Sequence, residues 1–138
     1  MTAGNVSGAV LDTSALLALV YEEPGAQRVE PALRRGAIMS MVNWAETLSR
    51  MADLGEPVQD AVPKLRAQIN ALGTLDIVPF GEAHGHEVAR LRALTRSLGL
   101  SLADRACLAL GRLHRLPVLT TDRAWRSLRL SIKIDVIR

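Results

Sequence analysis

Residues 101–125 read SLADRACLALGRLHRLPVLTTDRAW. Ser101 followed three positions later by Asp104 has the spacing of a helix-starting capping box, and an Ala/Leu-rich run carries the helix onward. PVLTT, residues 117–121, then reads as a buried strand, with Asp122 opening a short helix to about Leu128. The chain begins in the same way: AVL at residues 9–11, then Asp12, then a helix to about Tyr21 that Ser14 is placed to cap. A strand that ends on an acid and passes into a helix is therefore met at both ends of the chain.

The intervening sequence keeps that alternation. A helix is expected from about Gly25 to Arg35, with Pro31 an awkward interior residue and Gly36 a stop. Ala37–Met41 reads as a strand, Asn43–Leu54 as a helix stopped at Gly55, and Pro57 opens a further helix to about Leu72. Leu75–Pro79 is strand-like, Glu82–Leu98 helical, and Ile132–Val136 a last strand. Strands alternating with helices imply an α/β domain whose parallel sheet is covered on both faces.

Composition agrees with one compact unit. The chain has 138 residues, of which 49% are hydrophobic, enough to exclude a disordered tail. Residues 1–8 read as a loose extension and 9–138 as the domain. Cys107, the single cysteine, has no internal partner and reads as a small buried hydrophobe, which fits a reducing, cytoplasmic setting. The first basic residue is Arg28, and the longest apolar run, Ala15–Tyr21, is too short to span a bilayer, so neither a leader nor a membrane segment is expected. From residue 97 onward eight basic residues face three acids, so this basic C-terminal third carries +5 and residues 1–96 carry −2. Fifteen of the 17 basic residues are arginine, the side chain whose planar fork grips phosphate. Aromatic residues, at 3%, are too few for a base-stacking platform.

In a right-handed βα unit each helix starts at the carboxyl end of its strand. Asp12, Glu46, Asp104 and Asp122, from four separate elements, are thereby expected on one edge of the sheet, where open α/β folds bind ligands. Each acid also has a purely structural reading: caps for Asp12, Asp104 and Asp122, an exposed helix acid for Glu46. Together they are harder to explain, because two like charges about 4 Å apart repel by about 4 kcal/mol at an effective dielectric near 20. Crowded carboxylates take up protons or hold cations. All-oxygen ligation points to Mg²⁺ or Mn²⁺, and no histidine spacing suits zinc. Ser14 and Thr120 stand close enough in sequence to Asp12 and Asp122 to orient a carboxylate.

These stretches resemble the PIN-domain ribonucleases, and within them the VapC-type toxins of bacterial toxin–antitoxin pairs. VLDTSALLAL is similar to the first motif of that family, MVNWAE to the second, SLADRACLALG to the third and VLTTDRAW to the fourth. The resemblance runs from about Val10 to Val136. It implies a five-stranded parallel sheet in the order 3-2-1-4-5, reversing between the first and fourth strands so that Asp12 and Asp122 become neighbours. It also implies that Asp12, Glu46, Asp104 and Asp122 bind metal and are catalytic, with Ser14 and Thr120 as supporting hydroxyls. The activity implied is metal-dependent endonucleolytic cleavage of RNA, with a cognate antitoxin as partner and a homodimer as the assembly. Two other readings of the residues stay open. One is a catalytically silent module that binds RNA or a partner protein through the acidic pocket and the basic C-terminal third. The other, a receiver-type phosphoacceptor, is weakened by having only Lys64 and Lys133 as lysines.

Overall fold

A computed structural model of the protein describes residues 8–138. The loose extension expected over residues 1–8 lies outside the described residues except for Gly8, which is buried rather than loose. The elements run β1 (Val10–Leu11), α1 (Thr13–Val20), α2 (Ala26–Arg35), β2 (Ala37–Ser40), α3 (Met41–Asp53), α4 (Val58–Leu72) and β3 (Leu75–Val78). They continue through α5 (Glu82–Leu94), α6 (Leu102–His114), β4 (Val118–Thr120) and β5 (Ile134–Val136), with 3₁₀ turns at Arg96–Leu98 and Arg123–Ser127. All strand pairs are parallel, in the order β3-β2-β1-β4-β5. No helix among the described residues is long and apolar enough to cross a membrane.

The short strands hold because both of their faces are covered. Val10 pairs with Ile38 on one side and Val118 on the other, while Leu11 pairs with Leu119. Leu11, Met39 and Leu119 point into one apolar core with Leu16, Leu33 and Ile69; Val10, Ile38 and Val118 point into the other with Leu91, Leu108 and Trp125. Burying one such side chain contributes roughly 1.5–3 kcal/mol, so a two-residue strand with both side chains inaccessible is well anchored.

Local differences from the sequence reading have local causes. Asp12, not Ser14, caps α1, because its carboxylate accepts from the Ala15 amide. Ser40 likewise ends β2 and caps α3 two residues earlier than expected, its hydroxyl accepting from the Val42 amide. Pro31 falls inside α2 without dividing it. The helix expected to reach Leu98 stops at Leu94; the buried Thr95 hydroxyl donates to the Leu91 carbonyl at 2.8 Å, and a 3₁₀ turn follows. After β4 the chain also makes a 3₁₀ turn instead of an α-helix, closed by Trp125 N to Asp122 O and Leu128 N to Trp125 O, with the Trp125 ring sunk in the core.

Gly73 marks a tight crossing: a Cβ there would collide with the Leu33 carbonyl at the end of α2, to which the Thr74 amide bonds at 3.0 Å. Gly73→Ala is expected to lower stability by about 1–3 kcal/mol. Gly85→Ala, inside α5 with open space around it, should instead gain about 0.5–1 kcal/mol. Urea unfolding midpoints of the two variants measure both effects.

Candidate active site

β1 and β4 lie side by side at the point where the strand order reverses, and the Asp12 amide donates to the Leu119 carbonyl at 3.1 Å across them. Asp12 follows β1 and Thr120 ends β4, so their side chains meet at the carboxyl edge. The Thr120 hydroxyl donates to Asp12 Oδ2 at 2.6 Å. Oδ1 accepts the Ser14 hydroxyl at 2.7 Å and the Ala15 amide at 2.8 Å. The lone pairs of the same two hydroxyls accept from the next strand end: Thr121 N bonds to Ser14 Oγ at 3.0 Å, and Asp122 N to Thr120 Oγ1 at 3.1 Å. Both hydroxyl protons are thereby committed to Asp12. The 3.4 Å approach of Ser14 Oγ to Thr120 Oγ1 is then a packing contact.

Asp12 is nearly closed to solvent. Desolvation is the main reason its pKa rises from 3.8 to about 6; the bonds from Thr120, Ser14 and Ala15 oppose it, and the charge of Asp104 adds the smallest upward push. Below the site lies Cys107, fully buried. Desolvation first, then the charges of Asp12 and Asp104, hold its thiol well above its ordinary pKa. It stays a protonated core residue, as its setting in the sequence suggested.

The other three acids approach from separate helical elements. Glu46, in α3, lies 3.8 Å from Arg50 one turn on. Asp104 closes the capping box of α6: its carboxylate accepts the Ser101 amide at 3.0 Å, and Ser101 Oγ accepts the Asp104 amide at 3.1 Å. Asp122 caps the 3₁₀ turn through the Ala124 amide at 3.0 Å. All four carboxylates face one cavity of about 520 Å³, which Ser14 also lines while Thr120 stays behind Asp12.

The acids therefore share a cavity, but they are not the tight cluster expected from the sequence. Among the described residues no three His, Cys, Asp or Glu side chains converge closely enough to hold one metal ion. The cause is visible in the bonds above: each carboxylate is held back on its own wall by a cap or an ion pair. A space of this size suits a hydrated cation, and Mg²⁺ keeps several of its waters. The donors are all oxygen, as a hard cation requires.

Asn43, Arg50 and Trp125, not expected from the sequence as site residues, also line the cavity. Asn43 Oδ1 and Trp125 Nε1 are buried without a hydrogen-bond partner. Asn43, Glu46 and Arg50 are spaced i, i+3 and i+7, so a polar stripe on α3 was the signal for two of them. A neighbouring cavity of about 480 Å³ shares Ser14, Arg50 and Thr121, and adds the apolar walls of Leu17, Tyr21 and Leu54 beside Arg138. The basic C-terminal third does not form one patch. Arg112 and Arg129 line a separate hollow and Lys133 another at the opposite sheet edge, near Ala9 and Pro117. Arg112 is paired with the largely buried Glu87. Arg138 lines the neighbouring cavity, and Arg123, next to Asp122, donates to the Arg138 carbonyl at 3.2 Å.

Residues 9–129 match the family model described as PIN domain. No curated protein matches the chain. Among solved structures, DNA-bound VapBC from Salmonella typhimurium is similar with a TM-score of 0.69 at 14% identity, covering 93% of this chain and 96% of that one. A toxin–antitoxin complex from Klebsiella pneumoniae gives 0.66 at 20% identity, covering 88% and 92%. VapBC-5 from Mycobacterium tuberculosis gives 0.56 at 22% identity, covering 96% and 98%. At these identities the likeness is one of fold.

The raised pKa of Asp12 sets a sign for the pH dependence of the metal-free protein. The folded state binds this proton more tightly than the unfolded chain, so the contribution is fully present below about pH 4 and is lost as pH rises through about 6. Asp12→Asn is expected to gain on the wild type by about 3 kcal/mol between pH 4 and pH 8, from a shift of about two units. Urea unfolding in EDTA at the two pH values measures it, and an unchanged difference would exclude a buried, proton-hungry Asp12.

Proposed function

The chain belongs to the PIN-domain family, and on that premise we propose that it is a divalent-metal-dependent endoribonuclease, the toxin of a bacterial toxin–antitoxin pair working in the cytoplasm. The observation that carries this reading is the acidic cavity at the β1/β4 reversal, walled by Asp12, Glu46, Asp104 and Asp122. PIN-domain nucleases generally use divalent ions, and the oxygen-only walls fit Mg²⁺ or Mn²⁺. The four carboxylates would hold the ion. When bound it supplies Lewis acidity, lowering the pKa of water and neutralising charge on the departing oxygen.

The protein's own groups have definable parts. Ser14 and Thr120 keep the Asp12 carboxylate in one orientation and spend their only protons doing so. The Ser101 capping box fixes Asp104 on the first turn of α6. Arg50, shared by both cavities, stands where a substrate phosphate would need a counter-charge. Hydrolysis joins the oxygen of water to phosphorus and breaks the P–O3′ bond, leaving a 3′ hydroxyl and a 5′ phosphate. No side-chain nucleophile is called for, and Cys107 is buried and protonated.

The neighbouring cavity supports the partner reading. Leu17, Tyr21 and Leu54 offer an apolar seat beside the acidic walls, suited to an antitoxin tail with apolar side chains and a basic group that reaches the carboxylates. A homodimer is the expected assembly of the toxin.

A specific observation favours one rival, a catalytically silent module: no three carboxylates converge among the described residues. Cleavage of total RNA with Mg²⁺ or Mn²⁺ separates the two. The nuclease reading expects 5′-phosphate fragments, abolition by EDTA, and losses of at least about 100-fold in Asp12→Asn and Asp104→Asn. Ser14→Ala and Thr120→Val, which only support Asp12, should cost about 10- to 100-fold. EDTA-resistant cutting, or RNA binding that never leads to cutting under either metal, would exclude it.

A further inference from the structure

Asn43 is 1% exposed and sits one turn before Glu46 on α3. Its Nδ2 donates to the Ala103 carbonyl at 3.1 Å and approaches Thr13 Oγ1 at 3.5 Å. A carbonyl oxygen can only accept, so Ala103 settles which end of the amide is which. Oδ1 is thus turned away from Ala103, in a residue that lines the acidic cavity, and it has no partner. Leaving a buried acceptor unpaired is unfavourable, and native structures rarely tolerate it without a reason.

We propose that Asn43 is a positioning residue of the cation site, its amide oxygen accepting a hydrogen bond from water in the hydration shell of the divalent ion. This rests on the cation chemistry proposed above. Water bound to a cation has its lone pair directed at the ion and so acts as a donor. Its surroundings must supply acceptors. Three of the carboxylates already have an oxygen committed to caps, through Ala15, Ser101 and Ala124. Asn43 Oδ1 is an acceptor with nothing else to do. Trp125 Nε1, also buried and unpartnered in this wall, is a donor and cannot take that part. Neutral Asn also adds an acceptor without adding a fifth negative charge to the walls.

Mn²⁺ titration calorimetry and the Mn²⁺-induced rise in melting temperature test the assignment on the full chain. Asn43→Ala removes the acceptor and the Nδ2 bond; Asn43→Asp keeps an acceptor while also losing that bond. Both variants should melt lower than wild type without metal. Asn43→Ala should bind Mn²⁺ about 10-fold more weakly, whereas Asn43→Asp should bind at least as tightly as wild type and regain its melting temperature on Mn²⁺ addition. A purely structural Asn43 would lower both apo melting temperatures and leave Mn²⁺ affinity alone. That result, or an Asn43→Asp as weak as Asn43→Ala, overturns the inference while wild-type binding keeps the nuclease reading standing. A wild type that binds no Mn²⁺ overturns both. Should Asn43→Ala fail to fold, the near-isosteric Asn43→Leu, which also lacks the acceptor, takes its place in the same comparison.

Discussion

The molecule depends on one buried carboxylate. Asp12 is withdrawn from water at the reversal of a parallel sheet, and three donors from two chain segments surround it. Losing solvent disfavours its charge, and the hydroxyls of Ser14 and Thr120 only partly offset that loss. Those hydroxyls also accept the amides of Thr121 and Asp122. The ends of β1 and β4 are thereby locked to each other by the same atoms that orient the acid. Stability and site geometry cannot be altered separately at this point.

The remaining acids are economical in a related way. Asp104 and Asp122 satisfy amides at the starts of helical turns, and the same bonds hold their carboxylates on the cavity wall. A cap has a fixed geometry, so each acid is positioned by its own element. This explains why four carboxylates can face one space without collapsing together. It also explains why a hydrated ion suits the space better than a bare one.

Much of this was legible in the chain itself. Capping spacing at Ser101 and Asp104, the apolar runs before Asp12 and Asp122, and the glycine stops at Gly36 and Gly55 are local signals that tertiary packing leaves intact. What was misread followed from competition between neighbours. Asp12 outcompetes Ser14 as the cap of α1 because Ser14 must reach Thr121 across the sheet. Trp125 draws the turn after β4 into a 3₁₀ form because its ring is buried under the second core. The basic C-terminal third looked like one surface along the sequence. Its arginines are split between hollows on different sides, since helix periodicity and chain reversal separate them in space.

By itself the sequence determined the alternation of strands and helices, the four acids, and the edge on which right-handed connections must put them; these follow from periodicity, capping and chain handedness. Only the tertiary structure decided how far apart the carboxylates stand, which of them is dehydrated, and which oxygen is left unpaired. Burial and hydrogen-bond pairing belong to three-dimensional neighbours, such as Asp12 with Thr120 or Asn43 with Ala103, that lie 108 and 60 residues apart along the chain.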